Sequence, residues 1–348
     1  MKKTTPLLPL FEQFIKDSKT GKRLKKNGEK ITQGTINNYT YVYRNLVLFC
    51  EKSQFELRLC DYHKLTKRER ISEKNYWKKF YKKFTEFLYK KGCYDNYVGA
   101  NIKQLRTFFN WLAHDKELAT GNYQRLFYVR KEKISILVLS PDQLKFLIHN
   151  EDFHNLLTPA EQRIKDAFVF GCTTGLRFSD LYQLTSKNFE QQENNWYIKI
   201  RSKKTKTYTS IKLPPYAISI YKKYKPDRVK QTIFKPVSLF IFNRTLKEIG
   251  KKAAFDTPIE INREKLGRLK TTTSTSLRFY DKMSSHMMRR TAITTLLILG
   301  MPEHLVRKIS GHSPNSSSFN RYIQYAQVYL DKEVVGNLKE KVKSNLKK

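Results

Sequence analysis

The sequence predicts a mainly α protein with a small antiparallel β-hairpin or sheet, arranged as a helical bundle followed by a mixed α/β domain. Three observations carry that expectation. Four amphipathic stripes fill the first third of the chain, the periodicity lapses between about Asp115 and Ser140, and a run of strand formers broken by a basic turn follows Trp196. A chain of 348 residues can bury two cores and is short for three. With 39% apolar and 13% aromatic residues against 13 glycines and 11 prolines, it reads as globular rather than disordered.

In the first expected domain, residues 1–120, Leu10, Phe11, Phe14 and Ile15 form one stripe and Ile36, Tyr39, Tyr43, Leu46, Val47 and Cys50 the next. Tyr76, Trp77, Phe80, Phe84, Phe87 and Leu88 form the third, and Val98, Ile102, Leu105, Phe109 and Leu112 the fourth. Apolar residues at three- and four-residue steps share one helix face, so four such stripes predict a small bundle. The linker, 121–139, carries Arg125, Arg130, Lys131 and Lys133, and is either a strap along a polyanion or an ordinary surface connection. Ser140 as N-cap and Pro141 at the first helical position then open the second domain, 140–326. Its helices run to about Gly171, Trp196–Arg201 and Tyr208–Leu213 flank the turn Ser202–Thr207 as a hairpin, and helices return after Pro214 and Pro215. Residues 327–348 predict a last helix whose stripe Val328, Val335, Leu338 and Val342 is interrupted by Gly336.

Charge narrows the function. The 68 Lys and Arg residues outnumber 31 Asp and Glu, for a net +37. Such an excess repels itself in a compact state, and a polyanion relieves the repulsion while gaining entropy from released counterions. Nucleic acid is therefore the expected partner, against the alternative of a generically basic surface. The lysines are densest from Lys64 to Lys91, where Lys78, Lys79, Lys82, Lys83, Lys90 and Lys91 flank the aromatic stripe and could track a phosphate backbone. No apolar run approaches the roughly 18 residues that a membrane span needs, and Pro6, Pro9 and Glu12 break the first one, so a cytoplasmic protein is expected. Cys50, Cys60, Cys93 and Cys172 lack metal-ligand or disulfide spacing and read as reduced packing residues. No glycine-rich nucleotide loop is present, and no cofactor or metal is expected.

Five short patterns in the second half carry chemistry: Thr174-Gly-Leu-Arg177-Phe-Ser-Asp180, Lys203-Lys204-Thr205, His286-Met-Met-Arg289, Gly311-His312 and Ser318-Phe-Asn-Arg-Tyr322-Ile. An arginine alone is usually a surface or salt-bridge residue. Two arginines that could reach one phosphate are more informative, because the guanidinium fork bonds phosphate oxygens in pairs and stays charged at any working pH. His286 and Arg289, three residues apart, share a helix face from which Arg290 points away. Asp180, one helical step from Arg177, suits a brace for an arginine better than a catalytic acid, since a free carboxylate would repel phosphate.

Taken together the patterns resemble the tyrosine recombinases, also called the phage-integrase family, over essentially the whole chain. The segment beginning Thr35-Ile-Asn-Asn resembles that family's core-binding domain, and the Ser318–Ile323 run resembles integrases of Bacteroides-type mobile elements. The resemblance implies a helical core-binding domain, a catalytic domain, and DNA cleavage through a 3′-phosphotyrosyl intermediate without ATP or metal. It implies six catalytic residues: Arg177, Lys204, His286, Arg289, His312 and Tyr322.

In this reading Arg177 and Arg289 neutralise the phosphate. Lys204, at the hairpin turn, protonates the leaving 5′ oxygen, with Lys203 and Lys206 as rivals. His286 and His312 exchange a proton with the nucleophile or bond the phosphate, while His63, His114, His149, His154 and His304 are structural or surface groups. Tyr322 is the nucleophile among 21 tyrosines, and opens a helix after the loop that follows a short helix with Pro302 at its first position; Tyr325 and Tyr329 are its rivals. The implied partners are double-stranded DNA bearing a specific site, three further copies of the chain in a tetramer on DNA, accessory DNA-bending proteins and a nucleoid location. The last helix would dock on its own domain or on a neighbouring subunit. Integration, excision or inversion of a mobile element is the expected event. A type IB topoisomerase and a DNA-binding accessory protein that has lost catalysis are the alternatives.

Overall fold

The computed structural model describes residues 4–132, 134–203, 207–272, 277–316 and 318–331. It divides into two compact units, one of Met1–Ile134 with Ile261–Thr272, the other of the described residues in Ser135–Glu260 and Thr273–Lys348. The expected class, mainly helical with small antiparallel sheets, is what the chain adopts.

In the first unit β1 (Thr4–Pro6) pairs antiparallel with β2 (Arg58–Cys60), beside four helices: α1 (Leu7–Thr20), α2 (Gln33–Ser53), α3 (Lys67–Lys90) and α4 (Asp95–His114). Each predicted stripe supplies buried residues. Phe11, Phe14, Leu46, Trp77, Phe80, Phe84, Ile102, Leu105 and Phe109 all lie at 0% exposure. Aromatic edges fill the centre, with Trp77 perpendicular to Phe109 at 5.0 Å between ring centroids. Edge-to-face pairs add to the stabilisation that burial alone supplies. The Thr66 hydroxyl and Glu69 carboxylate form a capping box that starts α3, whose outward side exposes Lys78, Lys79, Lys82, Lys83 and Lys90.

The second unit opens with α5 (Pro141–His149), capped by Ser140 with Pro141 at its first position as the sequence predicted. It continues through α6 (Glu151–Leu156), α7 (Pro159–Thr174) and the single turn α8 (Phe178–Leu181). A three-stranded antiparallel sheet follows, β3 (Phe189–Gln192), β4 (Asn195–Arg201) and β5 (Tyr208–Leu213), with Arg201 opposite Tyr208 at the hairpin's end. The hairpin was expected; β3 was not, because Phe189-Glu-Gln-Gln lacks alternation and is held through Phe189 stacked on Tyr221. Next come α9 (Pro215–Tyr224) and α10 (Leu239–Lys252).

A second hairpin, β6 (Ile261–Lys265) and β7 (Arg268–Thr272), also escaped prediction. Its strands are charged and lack an apolar face, so the signal lies in the turn: Leu266 and Gly267 both have positive φ, 58° and 72°, the backbone of a tight two-residue hairpin. It belongs to the first unit, where Asp95 accepts from the Leu266 and Gly267 amides at 2.9 and 2.8 Å and buried Glu132 pairs with Arg263 at 2.8 Å.

The chain ends with α11 (Ser285–Ile298), α12 (Glu303–Ser310) and a helix, α13, over 318–331. Two boundaries differ from expectation. Pro302 caps α12 from outside rather than occupying its first position, and α13 begins at residue 318, so Tyr322 lies in its second turn. Both shifts are of the size at which capping and first-turn geometry look alike in sequence. Of the expected final stripe, Val328 is described and is 55% exposed; Val335, Leu338 and Val342 lie outside the described residues.

Candidate active site

The site is built where α7 packs on α11. Gly171 makes this possible, because a Cβ there would sit 2.4 Å from the Met288 sulfur. Helix α7 then stops at Gly175, in the left-handed conformation at φ 66°. That stop aims the next residues. Arg177 becomes the N-cap position of α8, and its Nη1 donates to the Ser202 hydroxyl at 3.0 Å. The Ser202 hydroxyl donates in turn to Asp180 at 3.0 Å, and the other Asp180 oxygen accepts from the Lys203 amide at 3.1 Å. Asp180 is buried and 4.0 Å from Arg177, which fits the bracing role read from the sequence. Through Ser202 the brace also holds the base of the β4–β5 turn.

Arg289 reaches the same place from α11. It is 5% exposed and donates to two carbonyls at helix ends, Gly175 O at 2.9 Å and Ser310 O in a short bond. Carbonyls at helix C-termini carry partial negative charge, so they suit a buried guanidinium. Burial first, and the nearby Arg177 second, push the Arg289 pKa down to about 10, which still leaves it charged near neutral pH. Arg290, its neighbour, is partly exposed and its Nε is buried without a partner.

His312 follows α12, which ends at Gly311 in the left-handed conformation. Its Nδ1 lies 2.8 Å from the Ser310 hydroxyl, and its ring meets that of Tyr322 at 5.9 Å between centroids, inclined by 65°. Its pKa falls to about 4, through burial first and then the charges of Arg289, Arg177, Arg307 and His286. Tyr322 itself is only 6% exposed, packed with Ile293, Val306 and Phe319. Of the six expected residues, Arg177, Arg289, His312 and Tyr322 come together, and the charge of His286 is felt at His312. Lys204 lies outside the described residues, as does Lys206, while Lys203 is exposed. Tyr325 is half-buried, with burial raising its pKa, and has no described contact with His312.

Sequence reasoning passed over three contributors. Ser202 and Ser310 were invisible because a serine beside a motif carries no pattern of its own. Arg307 was hidden among the many basic residues; it stacks over Phe319 at 4.1 Å and bonds Ser313 O and Asn320 at 3.2 Å each, fastening the loop that leads to Tyr322. Among the described residues no group of three or more His, Cys, Asp or Glu is arranged to hold a metal ion, and no helix is long and apolar enough to cross a membrane.

A phosphate-sized anion could be held between Arg177 and Arg289 with a buried tyrosine and a neutral histidine beside it, the constellation of a phosphoryl-transfer enzyme that uses a tyrosine. The profile of the phage integrase family matches residues 138–328, more than half of the chain. The chain therefore belongs to the phage integrase family and is a tyrosine site-specific recombinase. Among solved structures it resembles the Tn1549 transposon integrase in complex with transposon right end DNA, at 16% identity and a TM-score of 0.55, covering 94% of this chain and 99% of that one. It also resembles the XerH site-specific recombinase in a post-cleavage complex with a palindromic difH substrate, at 16% identity and a TM-score of 0.59, over 92% and 91% of the two chains. A lambda integrase dimer bound to a COC′ core site matches at 12% identity and a TM-score of 0.56, over 90% and 94%. At these identities the likeness is one of fold. Comparison with curated protein sequences finds no match.

Proposed function

We propose that this chain cleaves and rejoins DNA at a specific site through a 3′-phosphotyrosyl bond to Tyr322. The observation that carries the reading is the convergence of Arg177, Arg289, His312 and Tyr322 on one spot from α8, α11, α12 and α13. A buried guanidinium whose basicity a neighbouring arginine lowers gains from a phosphodiester between the two, whose oxygens collect charge as the phenol attacks. His286 adds to the field at the same spot. Lys204 is the general acid for the leaving 5′ hydroxyl. The phosphotyrosyl ester keeps the bond energy, so a 5′ hydroxyl from a second duplex can reverse the step without ATP.

Residues 1–120 serve as the core-type DNA-binding domain, 121–139 as the linker and 140–326 as the catalytic domain. The α3 lysines supply phosphate contacts. Four copies act together on two duplexes in the cytoplasm, on the nucleoid, with accessory DNA-bending proteins, and residues 327–348 dock between subunits. The event is integration, excision or inversion of a mobile element, of the Bacteroides type that the Ser318–Ile323 run suggests.

The test uses nicked duplexes built from the DNA flanking the gene. Wild type and Tyr325→Phe should trap protein on DNA through denaturation, and Tyr322→Phe should not. Trapping by Tyr322→Phe would remove Tyr322 from the role. Joining of two duplexes is expected; relaxation of a supercoil without exchange would instead favour a topoisomerase, and DNA binding without cleavage an accessory protein.

A further inference from the structure

Three arginines act on His312 through their charge, and Arg307 differs from Arg177 and Arg289 in what it holds. It lies in the last turn of α12 with its side chain 12% exposed. A guanidinium offers five N–H donors in a fixed plane. Arg307 commits them to three segments of its own chain. Nε donates to Glu303 Oε1 at 2.6 Å, one turn back on α12; Nη1 donates to the Ser313 carbonyl at 3.2 Å, in the loop after His312; and Nη2 donates to Asn320 Oδ1 at 3.2 Å, on α13. Its Cζ also lies 4.1 Å over the ring of Phe319, a residue at 0% exposure. Phe319 is where this network meets the nucleophile. It stands three residues before Tyr322 on one helix face, its ring 5.9 Å from that of Tyr322 and 5.3 Å from that of His312, inclined by 76° and 64°.

We propose that Arg307 is a positioning residue, a latch that seats the Tyr322 helix against α12 through Phe319 and Asn320, rather than a third arginine on the phosphate. The proposal rests on the recombinase reading and deepens it. Charge separates the arginines. Arg289 bonds only carbonyls and keeps its positive charge for an anion, whereas the Glu303 carboxylate already balances Arg307. The loop between the two helices gives α13 little support, because Ser313, Pro314 and Asn315 are exposed. The start of α13 is therefore held by side chains, and the Arg307 fork grips it at two consecutive residues, Phe319 and Asn320. A displacement of about 1 Å in reacting atoms can cost on the order of a hundredfold in rate. A latch one turn from Tyr322 thus governs cleavage without touching the substrate.

Cleavage of the nicked duplex and hydrogen exchange of the full chain together test the latch. Arg307→Met keeps a stem against Phe319 and removes the fork. It should cleave at least about tenfold more slowly at saturating DNA with an unchanged KM, and the amides of residues 318–331 should exchange faster. Arg307→Lys keeps the charge without the fork and should recover little of the rate. Asn320→Ala, at an exposed position, should move rate and exchange in the same direction to a smaller extent. Wild-type cleavage by Arg307→Lys would show that charge alone matters, and an Arg307→Met that loses DNA affinity but not rate would make Arg307 a phosphate ligand; either overturns the proposal, as does wild-type exchange of α13 in Arg307→Met. Should Arg307→Met not fold, wild-type rate and exchange in Asn320→Ala overturn it. If wild type never cleaves DNA, the recombinase reading falls, and exchange in α13, which needs no DNA, still decides the latch.

Discussion

Arg289 and His312 illustrate what a buried basic site costs a residue. Arg289 remains charged because two helix-end carbonyls replace its water; His312 gives up its charge because its surroundings are cationic. The consequence for stability follows from proton linkage. His312 in the unfolded chain titrates near about 6.5, and in the native chain near about 4. Between those values the unfolded state binds the extra proton, so stability contributed by neutral His312 is complete above the upper value and lost as pH falls through the lower. Thermal unfolding from pH 7 to 4 should show a declining Tm, and His312→Gln should flatten that decline. An equal decline in both proteins would assign it to other groups. Arg177, His286, Arg289 and the Gly311-His312 pair sit in short patterns that single them out in the sequence. Their hydrogen-bond partners were not legible there, because Ser202 and Ser310 become partners through folding, 25 residues from Arg177 and 21 from Arg289.

At the level of elements, the site depends on where helices stop. Gly175 and Gly311 end α7 and α12 in the left-handed conformation, and the former turns its carbonyl toward Arg289. A side chain at Gly175 would be strained at φ 66° and would put a Cβ 3.3 Å from that of Ala292. Gly175→Ala should therefore cost about 1–2 kcal/mol by urea unfolding, from the left-handed backbone alone. Its effect on cleavage should exceed its effect on DNA binding, because the displaced carbonyl holds Arg289. A stability unchanged from wild type would show that α7 can end another way. The sequence revealed most helices through periodicity and caps, as at Ser140 and Thr66. It hid β3 and the β6–β7 hairpin because their residues pair edge to edge with little apolar face. Backbone pairing with buried Asp95 and Glu132 holds that hairpin, and such contacts leave no periodic trace.

For the whole molecule, the net charge of +37 is large enough to govern binding as well as solubility. DNA affinity should fall steeply with salt, by a slope of roughly 0.9 per phosphate contacted. Replacing Lys78, Lys79, Lys82 and Lys83 by Ala should shallow that slope while leaving the fold intact, since all four are exposed on α3. An unchanged slope in a fluorescence titration from low to moderate salt would move the DNA-binding face elsewhere. The sequence by itself determined the helical class and pointed to a polyanion partner, because each is written in spacing or composition along the chain. Only the tertiary structure decided which groups act together. The packing of α7 on α11 brings Arg289 to Gly175, 114 residues away, and the close of α12 sets Ser310 between Arg289 and His312. Such contacts are chosen by three-dimensional packing, where a glycine's missing Cβ decides what no local pattern records.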